Sequence, residues 1–286
     1  MTNRIVITAA TVLVAALTAC SGGSATPPTP STVPGGRGLD LTLDWAWASP
    51  GGFSPGLPAG MGDDAAATWS HQLLVVFDGA GSPRWQAQRL GLLEVAPAVT
   101  PTLVLSGTDE GVIAYDRTTG RVRWESTLGE KPASPVVADG TAIVTTWDGS
   151  MVALGAGDGR VAWRAKLGAA SGGPAALSGR VAVATFDDGR VAGATAIDLE
   201  TGRSRWTVPL PPGGVSAPAV TTTGVVVVVA GDVAAHGLSV DDGAERWRTP
   251  LDGSGSPEVP PVALADGGVV VGHRLGGMAM LDGGNG

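Results

Sequence analysis

The sequence predicts an all-β ring of four-stranded antiparallel sheets, and three observations predict it. Tryptophan recurs at Trp85, Trp124, Trp163, Trp206 and Trp247, with gaps of 39, 39, 43 and 41 residues, and Trp45 stands 40 residues before the first. Proline keeps the same beat at Pro58, Pro97, Pro135, Pro174, Pro218 and Pro261. Asp-Gly pairs such as Asp139-Gly140, Asp148-Gly149 and Asp158-Gly159 cut each unit into runs rich in Val, Ala, Ile and Thr. A period near 40 residues belongs to propeller blades or helical arrays. The turn chemistry decides between them, because Asp-Gly supplies the positive φ that tight hairpins need. Four strand-length runs between such turns make one blade of a β-propeller. The 45 glycines of the 286-residue chain then have a physical reason.

Ahead of the repeats lie two short segments. Arg4 precedes "IVITAATVLVAAL", an apolar run of signal-peptide length that is too short for a comfortable membrane span. It runs into "LTAC", where Thr18, Ala19 and Cys20 resemble a bacterial lipobox. That resemblance implies cleavage after residue 19 and lipid on Cys20, the only cysteine. A lone cysteine has no intrachain disulfide to make. Residues 21–38, "SGGSATPPTPSTVPGGRG", carry almost no apolar side chain and read as a flexible tether. The expected division is therefore a signal peptide at 1–19, a lipidated Cys20 with its tether to 38, and a propeller over 39–286.

Six prolines imply six blades. The outer strand of a unit reads D-x-x-x-G-x-x-x-W, in full as "DRTTGRVRW" from Asp116 and "DLETGRSRW" from Asp198. "FDGAGSPRW", "GAGDGRVAW" and "SVDDGAERW" are weaker copies without the Asp in its place. The sixth unit holds three strands' worth of chain, through "GGMAMLDGGNG". Residues 39–47, "LDLTLDWAW", alternate in strand fashion and carry Trp45 and Trp47. They are expected to form the outer strand of the last blade, beside Met278 to Leu281, which closes the ring and removes a sheet edge.

These copies are similar to the PQQ-like β-propeller repeat, found in quinoprotein dehydrogenases and in the lipoprotein of the outer-membrane barrel-assembly machinery. The resemblance covers residues 39–286. It implies that Trp85, Trp124, Trp163, Trp206 and Trp247, with Trp45 as a sixth, dock against neighbouring blades as structural residues. It does not carry the dehydrogenase chemistry. Many of those enzymes hold PQQ beside a vicinal disulfide and a calcium ion, and here the one cysteine belongs to the lipobox. No cofactor and no metal are expected.

Other chemistry is thin. Asp187-Asp188 and Asp241-Asp242 precede Gly and read as turn formers, not calcium ligands. Asp63-Asp64 lies in a loose stretch that matches no unit. His71, His236 and His273 show no metal spacing, and His236 and His273 are expected at half-exposed strand positions. No nucleophile elbow or phosphate loop is present. The net charge of −8 argues against a nucleic-acid partner. The leading reading is a non-enzymatic, lipid-tethered, extracytoplasmic propeller that binds a protein partner in the cell envelope through loops at one end of the ring. The alternatives are a quinoprotein-type dehydrogenase and a carbohydrate or cell-wall binder, the latter with Trp69 and Trp147 as the main aromatics outside the repeat.

Overall fold

The computed structural model describes residues 55–61, 64–69, 73–89, 91–92, 95–171, 173–251, 259–272 and 278–286. These form six antiparallel sheets, each a simple meander. The first holds β1 (Pro55–Met61), β2 (Asp64–Trp69), β3 (Leu73–Phe77) and β4 (Pro83–Gln88). The second holds β5 (Ala98–Val99), β6 (Leu103–Thr108), β7 (Gly111–Asp116) and β8 (Val122–Thr127). The third holds β9 (Val136–Ala138), β10 (Thr141–Thr146), β11 (Ser150–Gly155) and β12 (Val161–Lys166). The fourth runs from β13 (Ala176–Ser178) through β14 (Val181–Asp187) and β15 (Ala192–Asp198) to β16 (Ser204–Leu210). The fifth comprises β17 (Ala219–Val220), β18 (Val225–Ala230), β19 (Ala234–Ser239) and β20 (Glu245–Pro250). The sixth has three strands, β21 (Val262–Ala263), β22 (Gly268–Gly272) and β23 (Met278–Asp282).

Position within a sheet explains the composition of each strand. The innermost strands are two or three residues long in the second to sixth sheets, and Pro97, Pro135, Pro174, Pro218 and Pro261 stand one or two residues before them. Proline cannot donate to a ladder, so it sits where pairing begins. The second and third strands of the second to fifth sheets are covered on both faces and are mostly apolar, with buried Ser and Thr among them, and the "VVVVVA" of β18 is the extreme case. Outer strands alternate between exposed and covered residues. The turn from β9 to β10 places Asp139 at φ 48° and Gly140 at φ 76°. Two successive positive values are what a two-residue hairpin of matching twist requires.

The innermost strands of successive sheets lie side by side, β9 on β13, β13 on β17 and β17 on β21. The sheets therefore stack face to face around a common line, which is the propeller arrangement. The apolar core is divided accordingly. Leu105 and Val112 of the second sheet pack with Val144 and Val152 of the third, and Val183 and Ala194 of the fourth with Val226 and Leu238 of the fifth. Each sheet is thus stabilised by its neighbours and not by its own two faces.

Asp64, unplaced from the sequence, opens β2, and residues 55–69 form the β1–β2 hairpin of the first sheet. Pro55 and Pro58 lie in β1, at the edge of the sheet, with a register irregularity between them. An edge strand tolerates both residues, so proline and glycine hid a strand.

β23 is the exception among the third strands. Its Met278 and Met280 are 81% and 69% exposed, whereas β7 and β11 are buried along nearly their whole length. No fourth strand covers it among the described residues. The expected partner, residues 39–47 with Trp45 and Trp47, lies outside the described residues, as do Cys20 and the tether. If 39–47 pairs with this edge, removing residues 21–47 lowers the melting temperature of the whole ring in one cooperative step, and removing 21–38 leaves it unchanged. Equal melting of both variants and the full chain contradicts the closure.

Candidate functional site

The repeated tryptophans meet the next sheet in one geometry. The indole Nε1–H of Trp85 donates to Arg117 O at 2.7 Å, Trp124 to Ala156 O at 2.8 Å and Trp163 to Leu199 O at 2.8 Å. Trp206 donates to Val240 O at 2.9 Å and Trp247 to Gly283 O at 3.3 Å. Every acceptor is the residue after the Asp position of the following unit. The ring then lies on that unit's Gly. Gly120, Gly159, Gly202, Gly243 and Gly286 all have φ between 68° and 83°. A Cβ on any of them would fall closer than 3.0 Å to the indole of the preceding sheet. Both facts exclude other residues. A bulge aims each ring: Trp124 pairs with Ala114, the next pair is Val122 with Tyr115, and Arg123 is the extra residue. The same irregularity recurs beside Trp85, Trp163, Trp206 and Trp247.

The turn that carries the Gly is closed by its backbone. Gly120 N donates to Asp116 O at 2.9 Å and Gly202 N to Asp198 O at 2.9 Å. Two of the degenerate copies keep this bond, from Gly159 N to Gly155 O and from Gly243 N to Ser239 O, both at 2.8 Å, whereas in the first sheet Gly81 N donates to Asp78 O at 3.0 Å. That is why the Asp can be lost and the Gly cannot. Where present, the carboxylate adds bonds. Asp198 accepts from Arg205 at 2.6 Å and from the Thr201 hydroxyl and amide at 2.9 and 3.0 Å. The Arg205 bond first, and the Thr201 bonds after it, hold Asp198 down to about 2. Asp187 and Asp188 likewise accept backbone N–H groups, of Gly189 and Gly214 and of Arg190 and Val191 respectively.

Two places outside the docking geometry carry chemistry. The first is the end of the ring where second strands turn into third strands. Trp147, in the β10–β11 hairpin, is 62% exposed. Its amide donates to Lys131 O at 3.1 Å, and Lys131 Nζ lies 5.8 Å from its ring centroid. Lys131 also pairs with Asp109 at 3.4 Å. Beside Trp147, Asp148 binds Lys166 at 2.8 Å and Thr146 Oγ1 at 2.6 Å. Burial raises the Asp148 carboxyl, but these bonds outweigh it and leave it well below the carboxylate range. Val191, in the equivalent hairpin of the fourth sheet, is also exposed.

The second is His236 on β19. It was expected at a half-exposed position and is only 4% exposed, on a third strand that is buried along its whole length. Its Nδ1 lies 2.7 Å from Glu245 Oε1 and its Nε2 3.0 Å from Asp232 Oδ1. Arg248 donates to Asp232 Oδ2 through Nε at 2.9 Å and Nη2 at 2.7 Å. Burial raises the Asp232 carboxyl, yet the bonds from His236 and Arg248 hold it below its ordinary value. The two carboxylates lie on opposite ring nitrogens and do not converge on one point. Among the described residues no group of three His, Cys, Asp or Glu is placed to hold a metal. His71 and His273 lie outside the described residues. The innermost strands β5, β9, β13, β17 and β21 offer Ala, Val and Leu, with Ser178 as their one polar side chain.

This geometry defines a β-propeller built of PQQ-like repeats, docked sheet to sheet by Trp and Gly. The chain belongs to the family described as outer membrane protein assembly factor BamB, whose model matches residues 70–194 and 152–286. No curated protein matches it. Among solved structures it is similar to BamB from Moraxella catarrhalis, at 18% identity and a TM-score of 0.55, over 78% of this chain and 73% of that one. It is also similar to the computationally designed Ika8 protein, at 14% identity and a TM-score of 0.52, over 80% and 83% of the two chains. At these identities the likeness speaks for the fold.

Substitutions where the second and third sheets meet separate docking from turn strain. Gly140→Ala meets positive φ in open space and is expected to cost about 1–2 kcal/mol. Gly159→Ala, with the Trp124 ring in the way, costs more, and Trp124→Ala costs about 3–5 kcal/mol. Chemical denaturation of the three variants checks the order. The lowered Asp198 carboxyl contributes stability that is present above its ordinary value, near 3.9, and fades as pH falls towards about 2. Asp198→Asn therefore flattens the acid limb of a melting-versus-pH curve, and an unchanged limb shows that the Arg205 bond contributes nothing.

Proposed function

We propose that this chain is a non-enzymatic docking propeller of the cell envelope, tethered through lipid on Cys20, that serves outer membrane protein assembly by holding a protein partner at one end of its ring. The membership of the BamB family supports the assembly class, and the lipobox-like "LTAC" supports the tether. The observation that carries the reading is Trp147. A tryptophan left 62% exposed and braced by Lys131 is an aromatic anchor whose ring faces outward. Such anchors, ringed by charges like Asp109, Asp148 and Lys166, are the residues on which protein interfaces concentrate their energy. The five docking tryptophans spend their N–H groups on backbone carbonyls and offer no such surface.

Cross-linked capture from membranes tests this. Trp147→Ala is expected to reduce the captured partner at least about tenfold, since an anchor contributes about 2 kcal/mol or more, while melting stays within about 0.5 kcal/mol of wild type. Cys20→Ala moves the protein out of the membrane fraction. Undiminished capture by the Trp147 variant removes this face as the docking surface.

A further inference from the structure

Three clefts between successive outer strands are closed by a side chain that reaches the fourth residue after the preceding Trp. Between the first and second sheets, Arg89 pairs with Glu125. Between the second and third, Arg164 Nη2 donates to Leu128 O at 3.0 Å. Between the third and fourth, Thr195 Oγ1 donates to Leu167 O at 3.3 Å. Leu210 holds the same place at the fourth cleft, and Arg248 stands where Arg164 does, opposite the third strand in the same register. Arg248 does not cross. It turns back to Asp232, with both of its hydrogen bonds on one carboxylate oxygen. What remains is a cavity of about 350 Å³, with Val208 to Pro211 as one wall and Asp232, His236, Glu245 and Arg248 as the other.

We propose that this cleft receives the guanidinium or ammonium side chain of another molecule, which takes in trans the place that Arg164 fills in cis. The apolar wall of Val208, Pro209, Leu210 and Pro211 suits the aliphatic stem of an arginine or lysine. The opposite wall supplies the charge. A neutral imidazole has one N–H and serves one acceptor, but His236 has a carboxylate at each nitrogen. Only the imidazolium satisfies both, and with Arg248 it brings the four groups to zero net charge. With a neutral imidazole, one carboxylate oxygen faces a bare ring nitrogen, although Asp232 keeps its two bonds from Arg248, and the four groups carry one negative charge. An incoming cation provides both the donor and the charge. The groups facing His236 are Asp232 from the β18–β19 turn and Glu245 and Arg248 from β20, while the β16 wall brings no titratable group. This site lies between the fourth and fifth sheets, whereas Trp147 belongs to the third.

The test uses the folded chain and two blocked amino acids, N-acetyl-arginine methylamide and its norleucine counterpart. The chain has three histidines, so the His236 ring resonances are assigned with a single His236→Gln variant. The arginine probe is expected to shift them with affinity on the order of millimolar, about tenfold tighter than the norleucine probe. Glu245 is half exposed, so Glu245→Gln keeps the fold and loses most of the binding. His236→Gln, read by backbone resonances of β16, still binds, because Asp232 and Glu245 remain. Trp147→Ala binds as wild type does, which separates this cleft from the Trp147 surface. Equal binding of both probes, full binding by Glu245→Gln, or no response of His236 overturns the proposal.

Discussion

The structure depends on one contact repeated five times, an indole laid on a glycine of the next sheet with its N–H on the adjacent carbonyl. Each sheet alone is a meander of three or four strands with two largely apolar faces, and neither face can stay in water. The Trp–Gly contact sets how the faces meet. It fixes the distance between outer strands, because no side chain can intervene, and it fixes register, because one particular carbonyl must be reached. The bulge beside each Trp and the positive φ of each Gly are local costs accepted for that fit. Buried clusters such as Leu105 with Val144, or Val183 with Val226, then form between sheets already in register.

Much of this was legible in the sequence, for a physical reason. Turn chemistry is local, and docking geometry is periodic, so Asp-Gly pairs, Trp and Gly recur where the fold needs them. The acceptors of the indoles were not legible. A backbone carbonyl has no residue signature, and Arg117, Ala156, Leu199, Val240 and Gly283 share nothing but their place. β1 was hidden by Pro55 and Pro58, which an edge strand admits and a central strand does not. The turns of Asp187 and Asp188 read as turns because an Asx carboxylate bonds its own neighbours.

His236 shows the limit of reading one unit at a time. Its place on a third strand, covered on both faces, was itself a reason to expect burial. Set against the other units, it replaces Ile113, Val152 and Thr195 at one register. A titratable ring in an otherwise apolar or hydroxyl position was a visible signal. Its carboxylates come from a turn and an outer strand, and the covering wall from another sheet, so only the fold brings them together. The Lys131–Trp147 pair is similar: two loops of the third unit meet because β9, β10 and β11 carry them to the same end of the ring.

The central claim is that the five indole contacts bind sheet to sheet and open only when the ring unfolds. Hydrogen exchange at the indole Nε1–H of Trp85, Trp124, Trp163, Trp206 and Trp247 tests it most directly. The account predicts that all five exchange with the free energy of global unfolding, in step with the amides of β6, β10, β14 and β18. Indole protons that exchange rapidly while those amides stay protected would contradict it, because the sheets would then be held together without their tryptophans.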